Sequence, residues 1–164
     1  MKTKEFDVLI IGCGISGLSS AYKLAKSGLS IGIATRESDP KISNTYWAQG
    51  GIIYTDSKDE LLKNDIQKAS SQTSNDNAID IMLARGSEIV EEVLLAQAET
   101  NFEKNDTDEL LFTKEAAHSI DRIIFKGDFT GREIQVSLLN HLNDKKRYPN
   151  ITFLESHTAI DLIT

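Results

Sequence analysis

Gly12, Gly14 and Gly17 stand in the spacing Gly-x-Gly-x-x-Gly, immediately behind the apolar run Phe6-Asp7-Val8-Leu9-Ile10-Ile11. That spacing suits phosphate chemistry. The first glycine turns the chain sharply out of a strand, and the second lets backbone N–H groups approach a pyrophosphate with no Cβ in the way. The third lets the following helix pack close to the strand. The helix then directs the positive end of its dipole at the phosphates. Alone the motif is a weak signal. With a strand in front and a helix behind, it favours a dinucleotide cofactor over a structural glycine turn.

A second cluster is Ser43-Asn44-Thr45-Tyr46-Trp47-Ala48-Gln49-Gly50-Gly51-Ile52, which holds the only tryptophan of the chain. Its small hydroxyl and amide side chains can hydrogen-bond phosphate and the edge of a flat ring. Its paired glycines can offer backbone N–H groups to the ring's face. Read in isolation, the same run is equally a glycine-rich surface turn. Between the two clusters, the usual acid that holds ribose hydroxyls at the end of a second strand is replaced by Thr35 and Arg36. Glu37 follows one residue later, where strand alternation predicts the opposite face. Cys13 lies between two motif glycines, where a thiol at a helix N-terminus could be reactive or simply small. His118, His141 and His157 show no metal-ligand spacing, so no metal site is expected.

These residues need elements to position them. Phe6–Ile11 reads as a strand buried on both faces, the first helix spans about 15–27, and residues 30–35 form a second strand. The result is a βαβ unit and an α/β, Rossmann-like fold with a parallel sheet. A polar connection from Arg36 to Ser43 leads to the second cluster, which fits neither helical nor strand periodicity. Helices are expected over 58–71 and 76–98, and a surface loop over 101–109. Residues 112–131 are irregular and rich in ionisable groups. A helix from about 132 to 143 and strands at 151–154 and 158–163 complete the pattern.

Composition sets bounds. With 164 residues, 40% hydrophobic and 26% charged, the chain has the size of one ordinary globular domain. Its net charge of -7 and a longest basic run of Lys145-Lys146-Arg147 argue against nucleic-acid binding. A single cysteine fits a reducing compartment, and no stretch reaches membrane-spanning length. The N-terminus runs straight into the first strand, leaving no room for a signal peptide; a cytoplasmic protein is expected.

The glycine motif and the 43–52 cluster together resemble the flavoprotein family of L-aspartate oxidase and the succinate dehydrogenase and fumarate reductase flavoprotein subunits. A third run narrows the resemblance. Phe112-Thr113-Lys114-Glu115-Ala116-Ala117-His118-Ser119-Ile120-Asp121-Arg122-Ile123-Ile124, followed by Gly127-Asp128-Phe129-Thr130-Gly131-Arg132-Glu133-Ile134, is similar to the L-aspartate oxidase branch. The resemblance implies FAD and oxidation of L-aspartate to iminoaspartate in the early route to NAD. Electrons would pass to oxygen or fumarate, and an enzyme forming quinolinate from the product is an implied partner. It also implies that Gly12, Gly14 and Gly17, with the backbone at Ile15 and Ser16, hold the FAD pyrophosphate. Thr35 and Arg36 fall beside the adenosine. Ser43, Asn44, Thr45, Gln49, Gly50 and Gly51 would contact the ribityl chain and flavin ring. Glu115 would read the substrate ammonium, the charge that distinguishes aspartate from succinate; its alternative is a solvated acid paired with Lys114. His118 and Arg122 match family positions, with loop ordering as their expected duty.

Two departures matter. The covalent flavoproteins of this family attach FAD through a histidine in the stretch before the paired glycines, where this chain has Asn44. An amide cannot serve as that nucleophile, so noncovalent FAD is expected. The family also continues well past residue 164. The chain therefore reads as an N-terminal part of an FAD-binding domain over residues 1–164, with an incomplete sheet, poor stability and no activity alone. The competing readings are a succinate- or fumarate-type flavoprotein, a non-catalytic FAD-binding module, and an NAD-dependent dehydrogenase. The last leaves the 44–53 segment unexplained.

Overall fold

The computed structural model describes residues 3–55 and 59–163. The βαβ unit forms as β1 (Val8–Ile11), α1 (Ile15–Ala25) and β2 (Ile31–Ala34), with β1 and β2 parallel and Val8 opposite Ile31. The strand β6 (Ile151–Leu154) adds in parallel on the far side of β2, with Ile31 opposite Ile151. The sheet order is β1-β2-β6, which makes β2 central and explains why all four of its residues are buried. Gly32 lies under the Phe6 ring, 2.8 Å from where a Cβ would sit.

β1 departs from the expectation of two buried faces. It is an edge strand among the described residues, and its outward side chains Leu9 and Ile11 are 52% and 60% exposed. The expected strand at 158–163 does not form either. Ser156 has φ +57, and the chain turns there; the N–H groups of Ser156 and His157 donate to the carbonyls of Glu37 and Thr35. Ile160, Leu162 and Ile163 then find nothing to pack on and are exposed. Alternating apolar residues make a strand only where a sheet edge and a covering layer receive them.

One face of the sheet is covered by α1 and by α5 (Thr130–Leu142), which pack against each other. Leu18, Ala21 and Tyr22 of α1, Ile31 and Ile33 of β2, and Leu138 and Leu142 of α5 form the centre of the core. Two further helices are α3 (Glu60–Ala69), capped by the Asp59 carboxylate, and α4 (Asp76–Ile89), capped by the Asn75 amide oxygen. The predicted start of the first at Lys58 lies outside the described residues. α4 runs on as a π-helix over Val90–Gln97, whose Val93 and Leu94 join the core. In the segment expected as a surface loop, Phe102 is buried in that core, and Lys104 bridges to Leu110.

The irregular segments make a second, small sheet. Its strands are β3 (Ile52–Ile53), β4 (Phe112–Thr113) and β5 (Ile123–Ile124), antiparallel in the order β3-β5-β4. Two-residue strands are too short to show a period of two in the sequence. Ahead of β3, one helical turn, α2 (Asn44–Trp47), is capped by Ser43, whose hydroxyl accepts from the Tyr46 N–H at 3.1 Å. This turn packs on α5 and so holds the second sequence cluster against the parallel-sheet domain.

Candidate functional site

Gly12 leaves β1 with φ +106, a conformation open to glycine but strained for other residues. Its N–H donates to the Ala34 carbonyl at 2.8 Å, which closes the turn against the end of β2. Gly17 lets α1 approach the turn, because a Cβ there would overlap the Gly12 carbonyl oxygen. Gly14 caps α1, and the N–H groups of its first turn, including those of Ser16 and Gly17, have no intrahelical partner. The Ile15 N–H is already used. It donates to Thr45 Oγ1 at 3.0 Å, tying the glycine turn to α2.

These contacts enclose a cavity of 570 Å³ at the carboxyl ends of β1 and β2. Its walls bring together Gly12, Gly14, Thr35, Arg36, Ser43, Asn44 and Thr45, seven of the residues singled out in the sequence. Glu37 and the second cluster's Trp47 join them, as does the segment His157-Thr158-Ala159, which no local pattern marks. Glu37 faces the same cavity as Thr35, against the alternation expected of a strand, because β2 ends at Ala34. Cys13 is buried, its thiol donating to the Pro40 carbonyl at 3.1 Å. The buried Gln135 amide locks the same region, donating to the Cys13 carbonyl at 2.7 Å and to the Pro40 carbonyl at 3.0 Å.

Ile15, Ser16 and Gly17 stand behind the turn in α1 and do not line this cavity. Gln49, Gly50, Gly51 and Glu115 do not line it either; they lie at the other end of α2, beside the small sheet. The Gly51 N–H donates to Glu115 Oε1 at 3.3 Å. A Cβ on Gly50 would lie 3.1 Å from Glu115 Oε2, and one on Gly51 would overlap Ile123. Glu115 is exposed and makes no ion pair with Lys114 among the described residues.

The turn that carries Glu115 is held from behind by Arg122, which is 1% exposed. Its Nη1 lies 2.6 Å from Asp65 Oδ2 and 3.0 Å from His118 Nδ1, and its Nε lies 3.0 Å from Asp59 Oδ2. The Ser119 N–H and hydroxyl both donate to Asp65 as well, at 2.8 and 2.9 Å. The Arg122 guanidinium and the Ser119 donors hold the Asp65 carboxyl well below its usual range, at about 2. Two acids and an imidazole thus converge on a guanidinium. Among the described residues no group of three or more His, Cys, Asp or Glu side chains is placed to hold a metal ion.

Comparison with known proteins agrees with this geometry. Residues 7–164 match the FAD binding domain family. The chain belongs to that family. FAD is the cofactor of this domain family, and the residues present fit it: the glycine turn at Gly12 and the α1 N-cap Gly14 line a cavity large enough for a nucleotide. Among curated relatives, the L-aspartate oxidase of Halobacterium salinarum is 35% identical over 96% of this chain and 30% of its own length. The chloroplastic L-aspartate oxidase of Arabidopsis thaliana is 34% identical over 99% of this chain and 24% of its own. This FAD-binding domain therefore spans under a third of the length of those relatives. Among solved structures, a quinol fumarate reductase from E. coli superposes with a TM-score of 0.82 at 19% identity, over 95% of this chain and 26% of that one, which shows the shared fold. No helix among the described residues is long and apolar enough to cross a membrane.

Proposed function

We propose that this chain is the FAD-holding part of an L-aspartate oxidase, which converts L-aspartate to iminoaspartate in the first step of NAD biosynthesis and passes electrons to oxygen or fumarate. The observation that carries this reading is Glu115, held against Gly51 at the far end of α2 from the pyrophosphate turn. Bound FAD would supply the hydride acceptor at that end. Gly14, Ser16 and Gly17 offer backbone N–H groups of the α1 N-terminus to the pyrophosphate, Gly12 supplies the turn that brings them there, and Thr35 and Arg36 stand beside the adenosine. Ser43, Asn44 and Thr45 hydrogen-bond the linking chain, with Gln49, Gly50 and Gly51 beside the ring. Glu115 keeps one carboxylate oxygen on Gly51 and offers the other to a substrate ammonium; Arg122, His118 and Asp65 position its turn. The relatives named L-aspartate oxidase support the substrate.

Asn44 lines the cavity and has no nucleophile for attachment, so FAD is held noncovalently. The second reading is a fumarate- or succinate-type flavoprotein, favoured by the superposition on quinol fumarate reductase. A carboxylate at position 115 would repel a dicarboxylate that lacks an ammonium, which ranks this reading second. The remaining partners, an enzyme that consumes iminoaspartate and a cytoplasmic setting, belong to the same proposal.

Acid precipitation of the FAD-loaded chain tests the cofactor. Flavin released into the supernatant is expected, and flavin retained in the pellet would overturn noncovalent binding. Anaerobic addition of L-aspartate to the product of the full reading frame tests the reaction. Bleaching of the flavin by L-aspartate and not by succinate is expected; the reverse would establish the second reading.

A further inference from the structure

Gln135 of α5 is wholly buried against the glycine turn, where its Nε2 donates to the Cys13 carbonyl at 2.7 Å and to the Pro40 carbonyl at 3.0 Å. The Pro40 carbonyl accepts from the Cys13 thiol as well, so the turn and the 36–43 connection meet at one amide. Two facing carbonyls fix the orientation of that amide, because only its NH2 end can meet them. Its Oε1 is in consequence buried with no hydrogen-bond partner among the described residues. A buried acceptor left unpaired costs stability, so packing alone does not account for a glutamine here.

The peptide that Gln135 grips is Cys13–Gly14, and it is trans. In a planar trans peptide the carbonyl and the N–H point in opposite directions. With the Cys13 carbonyl drawn toward α5, the Gly14 N–H is turned away from α5, and Gly14 lines the cavity. That N–H makes no hydrogen bond among the described residues. Resting on the FAD reading, we propose that Gln135 is a positioning residue for the cofactor, fixing the Cys13–Gly14 peptide with its N–H toward the pyrophosphate. The peptide needs such a hold because residue 14 is glycine. A flip would carry Gly14 from φ -73 to the positive side of the map, which glycine enters freely. The flipped peptide would present a carbonyl oxygen to the phosphates and replace attraction with repulsion. Gln135 opposes that state from outside the cavity, without touching the cofactor.

Titration calorimetry of FAD, ADP and adenosine into the protein and its Gln135→Met variant tests this. Methionine keeps the length of the side chain and removes its donor. FAD and ADP are expected to weaken about tenfold, as loss of a hydrogen bond to a charged group does, while adenosine, which has no phosphate, keeps its affinity. Equal weakening of all three ligands, or no weakening, overturns the role of Gln135 while leaving the FAD reading intact. Amide NMR spectra read the peptide itself. ADP, and not adenosine, is expected to move the Gly14 amide proton in the unsubstituted protein, and to move it less in the variant. Should the variant fail to fold, the unsubstituted protein still decides: a Gly14 amide that stays unmoved while those of Ser16 and Gly17 respond to ADP overturns the proposal. An unsubstituted protein that binds neither FAD nor ADP overturns the FAD reading, and the proposal with it.

Discussion

The Ile15 N–H, the first of α1, donates to Thr45 Oγ1 at 3.0 Å, so two sequence clusters thirty residues apart are joined by one hydrogen bond at the mouth of the cavity. The acceptor lone pair of Thr45 is spent on the helix, while its own O–H remains a donor. Replacing Thr45 with Val removes both and leaves a helix N–H unpaired. FAD affinity is expected to fall about tenfold, with a loss of about 1 kcal/mol in stability, and Thr45→Ser should restore most of both. Calorimetric titration and a urea melt measure the two effects separately.

Gly17→Ala should be far harsher. Its Cβ would overlap the Gly12 carbonyl oxygen, and a backbone atom cannot swing away as a flexible side chain can. α1 must move off the turn, at a cost of about 1–3 kcal/mol. The melt should shift accordingly and FAD binding should be lost; a variant that binds FAD normally would refute this packing role.

Trp47 is the only tryptophan and lines the cavity, packed edge-on against Tyr46 at 5.0 Å. Its emission overlaps flavin absorption, so FAD should quench it strongly and saturably. Trp47→Phe should abolish the signal while absorbance still reports bound flavin. Bound flavin without quenching would place the cofactor away from α2.

The Arg122 cluster predicts an acid-sensitive site. Asp65 is depressed from 3.8 to about 2 in the fold, so its contribution is complete above the unfolded value and is lost as pH falls from 3.8 through 2. Melts between those limits should show an acid-dependent loss that is reduced in Asp65→Asn. Arg122→Met, which strands two carboxylates against a buried pocket, should cost about 3–5 kcal/mol at neutral pH.

Tyr54 predicts the opposite limb. Its hydroxyl donates to Glu91 Oε2 at 2.5 Å, and that bond, with burial and the nearby negative charge adding to it, pushes its pKa up from 10 to about 12. A raised tyrosine pKa contributes stability that is present below 10 and is lost as pH rises through 12. Ultraviolet titration should show a late-ionising tyrosine near 12 that disappears in Tyr54→Phe, while the buried Tyr148, also raised, remains. That variant should also show a smaller alkaline fall in stability across the same window.

The elements legible in the sequence are those whose signal is local and repeated. β1, α1 and β2 show themselves by an apolar run, a glycine motif and helical spacing, and α5 and β6 lie within two residues of their expected bounds. Residues 158–163 have the apolar pattern of a strand, but Ser156 turns them away from an edge that could pair them. β3, β4 and β5 were illegible for the converse reason, since each is two residues long and exists only through its partners.

The sequence by itself determined the glycine turn between β1 and α1, because Gly12 and Gly17 answer steric demands within one strand–helix unit. It also determined the flavin family, through three runs of residues whose chemistry is local. Only the tertiary structure decided which side chains close the cavity. Glu37 reaches it through a backbone bond to Ser156, and Arg122 supports the Glu115 turn through acids on and beside α3. Those relationships join segments distant in the chain, and backbone hydrogen bonds and buried charge leave no periodic trace in a sequence.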